Sequence, residues 1–327
     1  MENINLNNDA NIEKVLNNIG KNLSRLNDNA DIQGYYLNKV NGDNYKIIVH
    51  TKPDGKSLNS VKTLEVNNIQ IEIKLVRTEF ILEDTKEKTP IDKNRGYPRF
   101  RPFPGGSWID SSSKGNVLIW GPAACWVRDV STEKPFVLSS VRNTGETGEV
   151  IFQSSKHHTE DRVGIVIRHN ELKTGGLFSR IKNVIDASIA APIDPKKVVS
   201  KSVHKLFPDA NNIPRRIRKI TNRDVRKKLK VFSTLSLSTD QAVRKISGFI
   251  IDRNYRFKHI FRKYSFKKQI LVSGMKGQIG SGVFTDEGDL VGIVTATFHT
   301  LDDGDRLTVV CRADKIAKRL NIMGWEE

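Results

Sequence analysis

Between residues 11 and 26, apolar side chains recur at Ile12, Val15, Leu16, Ile19, Leu23 and Leu26. A spacing near 3.6 predicts an amphipathic helix with one buried stripe. The period then changes. Residues 34–39 and 45–50 read as strands joined through Asn41-Gly42-Asp43, a hairpin-type turn. Residues 63–66 and 69–76 pair about Asn67-Asn68, and Ile69, Ile71, Ile73 and Leu75 alternate as in a half-buried strand. Together these predict a small α/β domain over 1–82. Residues 83–114 are charged and rich in Pro and Gly, which predicts a linker or covering segment. From 115 to 327 short apolar runs alternate with turns, at 120–130, 136–140, 149–153, 162–168, 242–251, 256–261, 265–272, 290–296 and 305–311. That rhythm predicts a mostly β barrel or sandwich. Ala313, Ile316, Ala317 and Leu320 then share one helical face, a closing C-terminal helix.

Composition narrows the classes. With 327 residues and 37% apolar side chains, the chain buries a core and is not globally disordered. No apolar run is long enough for a membrane span. The first residues show no basic segment followed by an apolar one, so no secretory signal is expected. Cys125 and Cys311 are too few for a disulfide framework or a cysteine zinc site, so the chain reads as intracellular, cytoplasmic.

Charge changes the picture more. The net charge is +17, and residues 196–268 hold 22 Lys plus Arg against 4 Asp plus Glu, so one segment carries the whole excess. Its densest clusters are Arg215, Arg216, Arg218 and Lys219, then Arg223, Arg226, Lys227, Lys228 and Lys230. Such localisation points to a polyanion site, on a protein partner or on nucleic acid; a merely solvated face is the other reading. Further on, Tyr255, Phe257, Phe261, Tyr264 and Phe266 interleave with Arg253, Arg256, Lys258, Arg262 and Lys263. These rings either stack bases or turn inward as core, leaving cations outside.

The chemistry is read from residues 272–298, VSGMKGQIGSGVFTDEGDLVGIVTATF. Gly277, Gly280, Gly282 and Leu290-Val291-Gly292-Ile293 make this stretch resemble the nucleophile loop of trypsin-like serine proteases. Arg101-Pro102-Phe103-Pro104-Gly105-Gly106-Ser107 is similar to the segment preceding the first barrel in the bacterial and plant narrow-leaf-type branch, which carries an N-terminal extension. The resemblance implies a trypsin-like double β-barrel behind the small α/β domain. It also implies site positions. Ile279 stands where the nucleophilic serine belongs, and Gly277 where backbone would hold an oxyanion. Leu138-Ser139-Ser140-Val141-Arg142-Asn143 puts Arg142 at the position of the general base, within one or two residues. Val184-Ile185-Asp186-Ala187-Ser188 matches the strand of the triad aspartate, retained as Asp186.

Triad chemistry needs a hydroxyl that attacks, an imidazole that takes its proton, a carboxylate that orients the imidazole and N–H donors for the oxyanion. Ile279 has no attacking atom, and the Arg142 guanidinium stays protonated. Losing nucleophile or base lowers turnover by roughly 10⁴- to 10⁶-fold. Ser281 is the alternative nucleophile if the turn is rebuilt, and His157 and His158 are loop imidazoles that would have to swing to Asp186. Cys125 reads as barrel interior, and His157, His158 and Asp161 lack a second cluster to complete a metal site. No cofactor is implied. Three functions remain open: a catalytically inactive protease homologue that binds or scaffolds partners, with a basic face for an acidic one; an active intracellular serine endopeptidase whose triad lies elsewhere; and a nucleic-acid-binding module of a larger assembly. Residues 294–298 form a cleft edge to which an extended peptide would add by strand pairing.

Overall fold

The stripe on the first helix finds its partner in the strands that follow it. Helix α1 (Asp9–Arg25) buries Val15, Leu16, Ile19 and Leu23. They meet Ile32 and Tyr35 of β1 (Ile32–Asn41), Ile47 and Val49 of β2 (Asn44–Thr51), Leu64 and Val66 of β3 (Thr63–Val66), and Ile71 and Ile73 of β4 (Ile69–Phe80). The computed structural model describes residues 9–25, 31–41, 44–54, 63–66, 69–81, 102–112, 121–153, 159–174, 181, 183–203, 216–236, 243–259 and 264–326.

A second body starts with β5 (Phe103–Gly105), β6 (Trp108–Ser111), β7 (Gly121–Pro122), β8 (Cys125–Asp129) and β9 (Pro135–Ser139). Helix α2 (Val141–Thr144), β10 (Val150–Phe152), β11 (Arg162–His169), β12 (Ser188–Pro192), α3 (Pro195–Val198) and β13 (Val199–Val203) follow. Strands β6 to β12 join an eight-stranded antiparallel sheet whose last member, β20 (Ile322–Met323), comes from the C-terminus. The covering segment is pinned to this body: Trp126 Nε1 donates to the Phe103 carbonyl at 2.6 Å, with both rings buried.

The third body holds α4 (Asn222–Arg226), β14 (Lys230–Ser236), β15 (Val243–His259), β16 (Tyr264–Ser273), β17 (Gly282–Phe284), β18 (Leu290–Thr300), β19 (Arg306–Arg312) and α5 (Ala313–Leu320). The pairings β14–β17, β17–β18, β18–β19, β19–β16, β16–β15 and β15–β14 close a ring of six antiparallel strands. A closed ring leaves no free edge, and alternate residues such as Val231, Ile250, Val272, Val283, Val294 and Val310 fill its interior. Helix α5 turns Ala313, Ile316 and Leu320 onto the interface between the two sheets. The chain is therefore mostly β with the trypsin-like arrangement, an N-terminal α/β unit and a closing helix.

Strand β15 departs from the sequence expectation. Instead of two strands over 242–261, it runs 17 residues without a break. Register shifts between Ile250 and Asp252, and again up to Phe257, bend it. Its first part pairs with β14 in the ring, and Gly34 and Tyr35 of β1 pair with Phe257 and Arg256 near its end. Strand β4 likewise pairs with the end of β18, so the N-terminal unit continues the same sheet.

At that junction the interleaved aromatics turn inward. Tyr255, Phe257 and Phe266 are buried with Phe298, with Phe257 and Phe266 stacked at 5.2 Å. Arg256 also points inward, with Nη2 2.9 Å from Glu13 Oε1 on α1. These three rings are core and offer no face to a base. His50 lies among them, its Nδ1 2.8 Å from the Tyr255 hydroxyl, and burial pushes its pKa down to about 4. The folded state thus holds His50 neutral while the unfolded chain takes up a proton below its ordinary 6.5. Stability from this group is present above pH 6.5 and lost as pH falls to about 4. Urea titrations of wild type and His50→Gln should show the penalty of the substitution shrinking by about 3 kcal/mol across that window.

Candidate functional site

Three elements from two sheets converge on one buried carboxylate. Asp186 leads into β12 and is 0% exposed. Its Oδ1 accepts from the Val141 N–H at 3.1 Å, so the first turn of α2 is fixed against it. The next residue, Arg142, is 6% exposed and donates from Nε to Asp186 Oδ2 at 2.7 Å. Its Nη2 reaches across to the other barrel and donates to the Thr295 carbonyl on β18. A guanidinium thus bridges carboxylate and backbone at the place where the resemblance puts an imidazole.

The Gly-rich loop sits directly on this helix turn. Asn143 Nδ2 donates to the Ile279 carbonyl at 2.8 Å and to the Pro122 carbonyl at 3.3 Å. Gly280 has φ +92, and a Cβ there would stand 2.1 Å from Asn143 Nδ2 and 2.7 Å from the Pro122 carbonyl oxygen. Glycine is therefore the residue that lets the loop close on α2. Arg142 is paired with Asp186, and the Ile279 carbonyl is held by Asn143, the residue that follows Arg142. Asn143, which holds the loop to α2, closes the segment 138–143 in the sequence but carries no assigned role there.

The remaining groups lack reactive geometry. Gly277, the expected oxyanion donor, sends its N–H to Thr308 Oγ1 at 3.1 Å, while its carbonyl accepts from Thr297 Oγ1 at 2.8 Å. The peptides on both sides of Gly277 are thus held by strands β18 and β19. Ser281 is 0% exposed and donates to the Thr234 carbonyl at 3.3 Å, facing the ring rather than Asp186. Burial raises the thiol pKa of Cys125 and of Cys311, and a protonated, buried thiol is a poor nucleophile. Among the described residues no group of three His, Cys, Asp or Glu could hold a metal. His157, His158 and Arg215 lie outside the described residues.

The cleft edge differs from the expectation of a free strand. The Thr297 carbonyl accepts from the Ile81 N–H at 3.0 Å, and Phe298, His299 and Thr300 pair with Phe80, Glu79 and Thr78. Phe80 packs on Phe298 with ring centroids 4.2 Å apart. With Thr295 held by Arg142, much of the edge offered to an extended peptide is filled by the chain itself.

The basic segment divides in two. Arg218 is committed: its Nη2 lies 3.0 Å from Asp224 and its Nη1 3.8 Å from Asp289. Asp224 also closes a capping box on α4 with Thr221 and is held below the usual carboxylate range, mostly by hydrogen bonds from Thr221 and Arg218 acting against its partial burial. Arg216, Lys219, Arg223, Arg226, Lys227, Lys228 and Lys230 are exposed. No helix among the described residues is long and apolar enough to cross a membrane.

No family model and no curated protein matches the sequence. Solved structures are similar at low identity. A glutamic-acid-specific serine protease is 11% identical, with 68% of this chain and 99% of that one covered and a TM-score of 0.47. Protease A of Thermobifida fusca is 12% identical, with 68% and 97% covered and a TM-score of 0.44. The MamO protease domain of Magnetospirillum magneticum is 13% identical, with 66% and 96% covered and a TM-score of 0.38.

Proposed function

We propose that this chain is a catalytically inactive homologue of trypsin-like proteases that works by binding, with the basic segment as its face for an acidic partner. The observation that carries the reading is the Arg142–Asp186 pair at 2.7 Å. A base must release and regain a proton near neutral pH, and guanidinium does neither. The carboxylate that would orient an imidazole is instead saturated by a permanent cation. Ile279, the clamped Gly277 peptide and the strand edge filled by residues 78–81 support the same reading. The positive charge of residues 196–268, much of it exposed after residue 216, supports the binding role.

Two measurements test it. Wild-type protein, shown folded by circular dichroism, is incubated with a fluorophosphonate probe and with mixed peptide substrates. No stoichiometric label and no cleavage above buffer are expected; label on Ser281 or any other serine would restore the endopeptidase reading. Heparin affinity chromatography probes the basic face. Retention that weakens steeply with salt is expected, and passage without retention would remove the acidic-partner role.

A further inference from the structure

We propose that the groove between the N-terminal unit and α4 binds a single nucleic-acid strand, phosphates on its cationic rim and bases on its tyrosine-bearing floor. This rests on the reading of the basic segment as a binding face, and adds the place and the ligand class. The groove has a volume of about 920 Å³ and is walled by α1, the β1–β2 hairpin, α4 and residues 251–254 of β15. That is ample for several linked small groups, since sites for drug-sized ligands run to about 300–1,000 Å³.

The rim carries Lys39, Arg223, Arg226 and Lys228, brought from two distant parts of the chain. Arg223, Arg226 and Lys228 are exposed and, among the described residues, form no ion pair. Their neighbour Arg253 is used differently: its Nε donates to Asn222 at 2.7 Å and its Nη1 to the Ile220 carbonyl at 3.2 Å, which holds α4 against β15. One cation therefore builds the wall while the others remain available to a ligand.

The floor decides between ligands of the same charge. Tyr45 is half-buried there, beside the aliphatic Ile12, Leu37 and Ile251, while Tyr36, on the opposite face of the strand pair, packs edge-on against His50 and Tyr255. Lys39 Nζ lies 5.5 Å from the Tyr45 ring centroid, so a planar face and a cation adjoin. A single strand presents unpaired planar bases and a phosphate at each step, which is what such a surface accommodates. A duplex keeps its base faces stacked inside, and a run of Asp and Glu side chains carries no ring for the floor. The groove's carboxyl, Asp252, does not oppose an anion strongly. Burial raises its pKa to about 7, despite N–H donation from Asn254 and Arg253, so a large share is neutral near pH 7. Asn38, Asn222 and Asn254 add side-chain amides for base edges.

Fluorescence anisotropy of the full chain tests this with labelled oligothymidylate and oligouridylate about 12 nucleotides long, and with a duplex of that length. Either oligonucleotide is expected to bind more tightly than the duplex. Arg223→Glu combined with Arg226→Glu should weaken binding at least about tenfold and flatten the log K against log salt slope by about 1.4, near 0.7 for each phosphate no longer neutralised. Tyr45→Ala should weaken oligonucleotide binding about fivefold or more while heparin retention stays unchanged. Circular dichroism confirms that these surface variants fold, and Lys39→Glu supplies an independent rim variant. Equal or tighter binding of duplex, no effect of Tyr45→Ala on oligonucleotide, or equal competition by polyglutamate would each overturn the groove proposal. In those cases heparin retention that is lost on charge reversal leaves the basic-face reading standing. Absent heparin retention removes both.

Discussion

Arg142→Ala should destabilise the fold by about 3–5 kcal/mol, because it strips the partner from a carboxylate with no access to water. Asp186 is 0% exposed; after the substitution its Oδ1 keeps the Val141 N–H, and its Oδ2 loses the guanidinium at 2.7 Å. The Thr295 carbonyl loses its donor in the same step, so the junction between the sheets opens at two points. Asp186→Asn should also cost stability, since it leaves a guanidinium buried against a neutral amide. The decisive measurement is urea unfolding of the Arg142→Leu and Asp186→Leu single variants together with their double variant, a double-mutant cycle. Arg142→Leu with Asp186→Leu removes both charges, and a buried pair exchanged for apolar groups is often neutral or stabilising. The double variant should therefore recover most of what Arg142→Ala loses. A single Arg142→Ala variant within about 1 kcal/mol of wild type would show that the pair is not a structural bridge between the barrels.

How much of this could be read from the sequence depends on the physics of each part. Strands β16, β18 and β19 of the ring were legible because side-chain alternation is local: Val272, Val294 and Val310 each face inward for reasons carried by their own segment, whereas β14, which carries Val231, was not read as a strand. The pattern that suggests triad positions is local too, in the glycine spacing at Gly277, Gly280 and Gly282 and the short apolar run at Asp186. What escaped was non-local. The pairing of residues 78–80 with 298–300 joins segments more than 200 residues apart, and nothing in either strand states its partner. The N–H of Gly277 has the same problem: its direction is decided by Thr308, on another strand. The aromatics at 255, 257 and 266 were ambiguous because alternation does not say which face of a twisted, bulged strand is covered. The packing of Phe298 and Leu307 against them decides it. The groove was invisible for the same reason, since Lys39 and Arg226 meet only in three dimensions.

Installing triad side chains tests whether they alone would suffice for chemistry. Arg142→His with Ile279→Ser introduces an imidazole and a hydroxyl at the positions that the resemblance assigns, yet this double variant is expected to stay far below an intact site. The reason is the Gly277 peptide. Its N–H lies 3.1 Å from Thr308 Oγ1, so turning it toward an oxyanion breaks a buried hydrogen bond, and the carbonyl of the following peptide, which accepts from Thr297 at 2.8 Å, restrains the same residue. Without one oxyanion donor, turnover falls by about 10² to 10³, some 3–4 kcal/mol of transition-state stabilisation. The filled strand edge at Thr297 and Phe298 removes part of the substrate positioning as well. Time courses of fluorophosphonate labelling should therefore rank wild type and Ile279→Ser together at background, with the double variant only slightly above. Adding Thr308→Val takes away the acceptor at nearly constant volume, and the triple variant should label faster than the double. Stoichiometric labelling of the double variant within minutes would mean that the loop still forms an oxyanion site, and that the change at Ile279 and Arg142 alone separates this chain from an active protease.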